Sequence, residues 1–193
     1  MNSPGPTQLV RPSAIHLPSY RDALQRGWSA DNVRGRAAAE EELAEIAADA
    51  TAFLASKEDR EAVGPPVKLP DGSWVPRLPG LVRWMWDGEF VGSINLRWQT
   101  GSAELPPHCL GHIGFAVVPW KRGLGHATAG LSLLLPLARE LGLPWVMLTT
   151  DTDNLGSQQV ITANGGTRVG AFNKPAAYGG HAGVMYRIEL TAR

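Results

Sequence analysis

Arg122, Gly123, Gly125 and Ala127 stand at a spacing suited to holding a diphosphate. The run Val117-Val118-Pro119-Trp120-Lys121-Arg122-Gly123-Leu124-Gly125-His126-Ala127-Thr128 leaves an apolar stretch and stops at a proline. It then passes through a basic, glycine-containing turn into an apolar-periodic segment. A strand–turn–helix junction of this kind presents backbone N–H groups that have no partner inside the helix, at the positive end of the helix dipole. Glycines let an anion approach the backbone, and Arg122 adds a forked cation for phosphate oxygens. Two better-known phosphate loops are excluded. Thr128 stands where a dinucleotide fingerprint needs its third glycine, and no Gly-Lys-Ser/Thr follows as in a nucleoside-triphosphate loop. A Gly-x-Gly turn alone is also ordinary punctuation between strand and helix.

The elements that must position this turn can be read on either side of it. Leu9-Val10-Arg11 forms a first strand ended by Pro12. Ser19 caps a short helix running to Gln25, and Gly27 stops it. From Arg36 to Ser56, Leu43, Ile46, Ala47, Ala50, Phe53 and Leu54 share one helical face; Glu40, Glu41, Glu42 and Glu45 lie mostly opposite, as a solvated face. Residues 64–80 carry five prolines and Trp74, which suits either a lid or a stiff surface connection. Leu81 to Trp86 and Glu89 to Trp98 read as strands around a two-residue Asp87-Gly88 hairpin turn.

After a loop at 100–111, His112 to Val118 is a strand. Gly111 and Gly114 open it to a ligand or to another backbone. A helix starting near Gly123 runs to Leu141, closed by Gly142 and kinked at Pro136. Trp145 to Thr150 (strand), Asn154 to Ala163 (helix), Thr167 to Phe172 (strand) and Val184 to Leu190 (strand) complete the chain. This order implies an α/β (α+β) fold: a mixed sheet with helices on both faces.

Composition narrows the function classes. The 193 residues are 44% hydrophobic and 19% charged, with zero formal net charge. That suits one domain spanning 1–193, with residues 1–8 as a flexible end. Neutral charge gives no basis for nucleic-acid or anionic-membrane binding. No apolar run approaches the ~20 residues that cross a bilayer. The single cysteine, Cys109, forms no internal disulfide, which favours a reducing, cytoplasmic setting. Histidines and acids are not grouped at metal-ligand spacing, so no metal is expected.

Together, Arg122-x-x-Gly125-x-Ala127 and Asp153-Asn154-Leu155-Gly156-Ser157, followed by Val160-Ile161 and Asn164-Gly165-Gly166, resemble the two coenzyme segments of the GCN5-related N-acetyltransferases (GNAT). The Val10-Arg11-Pro12 start and the element order are similar as well. The resemblance covers nearly the whole chain. It implies a mostly antiparallel sheet of six to seven strands whose splayed central strands hold acetyl-CoA as co-substrate. Val117 and Val118 would bond the pantetheine arm. Arg122 and the N–H groups of Gly123, Leu124, Gly125, His126, Ala127 and Thr128 would hold the pyrophosphate. Asn154 and Ser157 would serve the arm or its thiol end, besides capping and packing a helix.

The implied reaction is direct transfer of acetyl to a primary amine of a small molecule or peptide. It needs a neutral amine, a donor for the oxyanion and a proton for the leaving thiolate. The tyrosine that many members use as acid is replaced here by Ile161, so either the thiolate leaves without a dedicated acid or another group serves, with Tyr178 and Tyr186 as candidates. His112 stands where some members place a glutamate base, and an imidazole titrates in the useful range. Glu104, His108 and Cys109 precede it in a loop that could reach the same mouth. Trp28, Trp74, Trp84, Trp86, Trp98 and Trp120 line a core or, alternatively, an aromatic acceptor pocket. Other readings are a non-catalytic acyl-CoA-binding protein and a transferase of a longer acyl group. A homodimer is expected by family analogy only.

Overall fold

The computed structural model describes residues 5–69, 71–176 and 180–190. Strand β1 (Gln8–Val10) leads into α1 (Leu17–Gln25). Pro18 sits in the first turn of α1, where no N–H is needed, and His16 precedes the helix. Ser19 is therefore inside the helix and does not cap it; its Oγ accepts the Phe90 N–H at 2.8 Å, tying α1 to the sheet. Gly27 ends the helix with φ +83°, a value glycine adopts freely.

Helix α2 (Arg36–Ala55) is not continuous. Asp49 leaves helical geometry (φ −157°, ψ 94°). Its Oδ1 accepts the N–H groups of Thr51 and Ala52, both at 2.9 Å. The aspartate thus caps a second helix inside a run that composition makes look uniform. Two short strands, β3 (Val67–Lys68) and β4 (Trp74–Val75), make an antiparallel ribbon out of the proline-rich segment. Before it, β2 (Glu58–Asp59) adds to an edge that no sequence periodicity announces.

The hairpin β5 (Gly80–Trp86) and β6 (Phe90–Arg97) closes differently from expectation. Trp86 pairs with Phe90 and the register shifts after Met85, so Asp87-Gly88-Glu89 is a three-residue connection with Gly88 at φ +114°. Then come β7 (Ile113–Val117), α3 (His126–Glu140), β8 (Trp145–Asp151), α4 (Leu155–Ala163), β9 (Thr167–Asn173) and β10 (Ala182–Glu189). Helix α3 keeps Pro136 in its interior without ending there.

Apart from the β3–β4 ribbon, the strands form two antiparallel sheets. One has the order β1-β5-β6-β7, with β2 also on β5; the other has the order β8-β10-β9. The expected α/β fold is present, but its strands are five on one side and three on the other, all paired antiparallel, and they divide where β7 and β8 meet, in place of one mixed sheet of six to seven. Alternate residues of β5 face different cores. Leu81 and Met85 join Leu131, Leu134 and Leu135 of α3. Trp84 enters a second core with Tyr20, Phe53 and Phe90 beneath α1 and α2. Its ring stacks on Tyr20 at 4.3 Å and 17°. Replacing Trp84 by alanine would cost about 3–5 kcal/mol. Trp28, Trp98 and Trp145 are likewise buried, so these tryptophans anchor packing. Trp74 is exposed, and the Arg26 guanidinium covers the Trp120 ring at 3.3 Å.

A candidate active site between the two sheets

The site begins where β7 and β8 come closest. The His112 N–H donates to the Met147 carbonyl at 2.8 Å, and the Met147 N–H donates to His112 Nδ1 at 3.0 Å. Because Nδ1 accepts, the ring proton lies on Nε2, which donates to the Ala103 carbonyl at 3.2 Å. A Cβ on Gly111 would stand 2.9 Å from the Met147 oxygen, so glycine is required for this approach. Burial pushes the His112 pKa down and keeps the ring neutral. With 1% exposure and both nitrogens engaged, His112 fastens the apex of the cleft and has no lone pair for a base.

Beyond this apex no ladder joins β7 to β8. β7 is bonded to β6, where the Arg97 N–H meets the His112 carbonyl and the Val118 N–H meets the Val91 carbonyl. Backbone groups alternate sides along a strand. Those of Phe115 and Val117 therefore turn away from β6, into the gap. Val118 does not fit its expected role. It is fully buried, its N–H is given to Val91, and its carbonyl accepts the Lys121 N–H.

At the open end, Pro119–Lys121 make one 3₁₀ turn. Gly123 (φ +77°) and Gly125 (φ +82°) follow in left-handed conformations. Helix α3 accordingly begins at His126 and not at Gly123. A Cβ on either glycine would meet nothing within 4 Å, so what these positions demand is backbone conformation. Among the described residues, no acceptor takes the N–H groups from Gly123 to Thr128; the first bond of α3 runs from the Ala129 N–H to the Gly125 carbonyl. Leu124 is exposed and does not line the cavity beside this turn. The exposed Arg122 holds its Nε to the Val117 carbonyl at 3.2 Å.

The turn is anchored from the β5–β6 connection. Lys121 Nζ lies 2.9 Å from Asp87 Oδ2 and 2.7 Å from Glu89 Oε1, and the Asp87 side chain is 1% exposed. The bond to Glu89, with that to Asp87, raises the Lys121 pKa against the opposing effect of burial. His126 Nδ1 meets Thr7 Oγ1 at 2.9 Å, and its Nε2 lies 3.6 Å from Asp87 Oδ2. On the facing side, the Asn154 Oδ1 caps α4 by accepting the Ser157 N–H at 3.0 Å. Asn164 Nδ2 reaches the Thr128 carbonyl at 3.2 Å and so holds the far end of α4 to the first turn of α3.

Two cavities with shared walls lie in the gap. The larger, about 680 Å³, contains the glycine turn, Val117, Arg122, His126, Ala127 and Thr128. The smaller, about 250 Å³, lies toward Ser93, Asn95 and Arg97. Asn32, Phe115, Ala116, Asp151, Asn154 and Ser157 line both. Sequence reading missed Asp151, Asn32 and Lys174. Asp151 ends β8, and Lys174 Nζ sits 2.5 Å from its Oδ1. Its place just before the Asn154 segment was a usable signal. Asn32 and Lys174 arrive from distant loops, and nothing in their neighbourhoods marks them.

The remaining candidates lie elsewhere. Tyr186 is 5% exposed within the core, and its hydroxyl donates to Gln158 Oε1 at 3.0 Å. Gln158 in turn donates to the Asp151 and Thr152 carbonyls, so Tyr186 steadies the end of β8 from outside the cleft. Tyr178 lies outside the described residues. Ile161 is fully buried at the floor of the smaller cavity. His108 and Cys109 line a third cavity, and Glu104 is exposed away from it.

A family model described as an acetyltransferase (GNAT) domain matches residues 47–167. No curated protein matches the chain in sequence. Among solved structures, the chain is similar to RimL, a ribosomal L7/L12 alpha-N-protein acetyltransferase in complex with coenzyme A. Identity is 14%, TM-score 0.62, and coverage 95% of this chain and 94% of that one. It is similar to RimJ of Mycobacterium smegmatis in complex with CoA-disulfide (16%, TM-score 0.60, 96% and 82%). It is also similar to the microcin C7 self-immunity acetyltransferase MccE in complex with acetyl-CoA and AMP (13%, TM-score 0.58, 97% and 93%). At these identities the likeness is one of fold.

Proposed function

Because this chain belongs to the GNAT acetyltransferase family, whose model spans residues 47–167, we propose that it transfers acetyl from acetyl-CoA to a primary amine in the cleft between β7 and β8. One observation carries the reading: among the described residues the N–H groups from Gly123 to Thr128 have no acceptor, and all of these residues but Leu124 line a cavity that shares Asp151 and Ser157 with a second, polar one.

Arg122 and these N–H groups hold the pyrophosphate. The outward backbone groups of Phe115 and Val117 bond the pantetheine arm as a neighbouring strand would. The cap uses the Asn154 Oδ1, which leaves its NH2 to serve the same arm. The amine enters from the side of Ser93 and Asn95. Asp151 accepts a proton from it at the junction, and Lys174 holds that carboxylate in place. The amine nitrogen attacks the thioester carbonyl, the C–N bond forms, and the C–S bond breaks. Ser157, one helical turn before Ile161 and lining both cavities, offers a hydroxyl to the departing thiolate.

A second reading, binding without catalysis, is favoured by the buried, apolar Ile161 at the family's acid position. Two measurements separate the readings. Acetyl-CoA titrated calorimetrically into the wild type should bind, and Arg122→Glu should weaken binding by at least about tenfold. No binding to the wild type overturns the coenzyme reading. Release of free thiol with a panel of primary amines then distinguishes enzyme from binder.

A further inference from the structure

The third cavity, about 660 Å³, lies between the β3–β4 ribbon, the segment at Asp31–Arg34 and the loop carrying His108 and Cys109. Its charge is one-sided. Arg34, Lys68, Arg77 and Arg97 line it against one carboxylate, Asp31, in a chain whose formal charges cancel overall. Two of these cations are already committed. Arg34 is paired to Asp31 and Glu41, and Arg77 lies 3.9 Å from Asp59 and donates to the Pro65 carbonyl. Lys68 and Arg97 differ. Among the described residues neither has a carboxylate within 4.0 Å, and Arg97 reaches only Asn95 Oδ1, at 3.4 Å. Between the cations the wall is apolar, with Val75 and Leu78.

Arg97 also lines the smaller cavity of the cleft, two residues along β6 from Asn95. The cationic cavity therefore adjoins the place where the amine is acetylated, on the side away from the glycine turn.

We propose that this cavity binds an anionic group, carboxylate or phosphate, carried by the acceptor on an apolar body, with Arg97 and Lys68 as its counter-charges. The proposal rests on the reading of the smaller cavity as the acceptor side. An acceptor so held presents its amine toward Asp151 while its anion stays outside, at Arg97. Cations with no carboxylate partner among the described residues, set on an apolar wall, favour such a ligand over a neutral amine of the same shape.

The test is calorimetric binding to protein saturated with coenzyme A, using two matched pairs of amines. One pair is para-aminomethylbenzoate and its carboxamide; the other is phosphotyramine and tyramine. The anionic member of at least one pair should bind about tenfold tighter. The double variant Arg97→Gln, Lys68→Gln should bring that pair to within about twofold, with coenzyme A affinity and the urea midpoint unchanged. Both side chains are exposed, so their loss leaves the fold intact. The pair that shows the preference tells carboxylate from phosphate. Equal or undetectable binding of both members in both pairs overturns the proposal, as does a preference that survives the double variant. Since the readout is binding, absence of thiol release with these amines counts against catalysis alone. If coenzyme A does not bind, the coenzyme reading fails, and the pairs are titrated into the protein by itself under the same criteria.

Discussion

His112 and Met147 exchange two hydrogen bonds, one backbone to backbone at 2.8 Å and one from the Met147 N–H to the imidazole at 3.0 Å. This pair joins two sheets that otherwise share no ladder, and it defines the apex from which the cleft opens. His112→Ala removes a buried side chain and orphans the Met147 N–H. Unfolding free energy should fall by about 2–4 kcal/mol, read from urea melts. A base would give a different result, namely lost turnover in a protein of unchanged stability.

The same histidine sets a pH dependence. Burial lowers its folded pKa, so below the ordinary imidazole value of about 6.5 the unfolded chain binds the proton that the folded one refuses. Its contribution to stability is complete above that pH and declines as pH falls toward the folded pKa. The urea midpoint of the wild type should drop between pH 7.5 and pH 5.5. His112→Asn should lose a measurable part of that drop. Parallel curves for the two proteins would contradict the assignment.

Gly125 occupies φ +82° at the mouth of α3 with open space where a Cβ would point. Gly125→Ala meets no clash, yet it must hold a left-handed backbone at a cost of about 1–2 kcal/mol. The expected result is weakened acetyl-CoA binding, because the strained turn no longer presents its N–H groups together. An unaltered dissociation constant would show that the turn does not carry the pyrophosphate.

Asp151 is the one carboxylate among the described residues that lines both halves of the cleft. Asp151→Asn should leave acetyl-CoA binding within about twofold and lower kcat by roughly a hundredfold, the scale of a lost general base. A fall in coenzyme affinity with kcat preserved would move Asp151 from proton transfer to coenzyme binding.

Lys121 neutralises Asp87, whose side chain is 1% exposed. Lys121→Met leaves that carboxylate buried without its cation and should destabilise the protein by about 1–3 kcal/mol. Adding Asp87→Asn should restore part of the loss, giving a coupling energy in a double-mutant cycle. Strict additivity would mean that the pair does not hold the turn to the β5–β6 connection.

Local rules explain how much was legible. Gly27, Gly142 and Gly165 end helices, and the Asn154 cap and the strands around the Arg122 turn follow from residues a few positions apart. The failures also have local causes. Asp49 breaks α2 because its side chain competes for two backbone N–H groups, which hydrophobic periodicity does not register. The hairpin at Asp87 gains a third residue as its register shifts after Met85. The pairings that decide the roles of His112 and Tyr186 lie far apart in sequence: His112 with Met147, and Tyr186 with Gln158.

The sequence by itself determined the family, the order of strands and helices, and a turn able to hold a diphosphate. Each of these depends on residues close together in the chain, where periodicity, glycine conformation and capping act. Only the tertiary structure decided which polar groups meet. It buried His112 at the apex and took Val118 into the β6 ladder. It carried Asp151, Asn32 and Lys174 into one cleft, and it left Arg97 beside it with no carboxylate partner among the described residues. Those outcomes follow from how two sheets part between β7 and β8, a geometry set by packing across the whole chain.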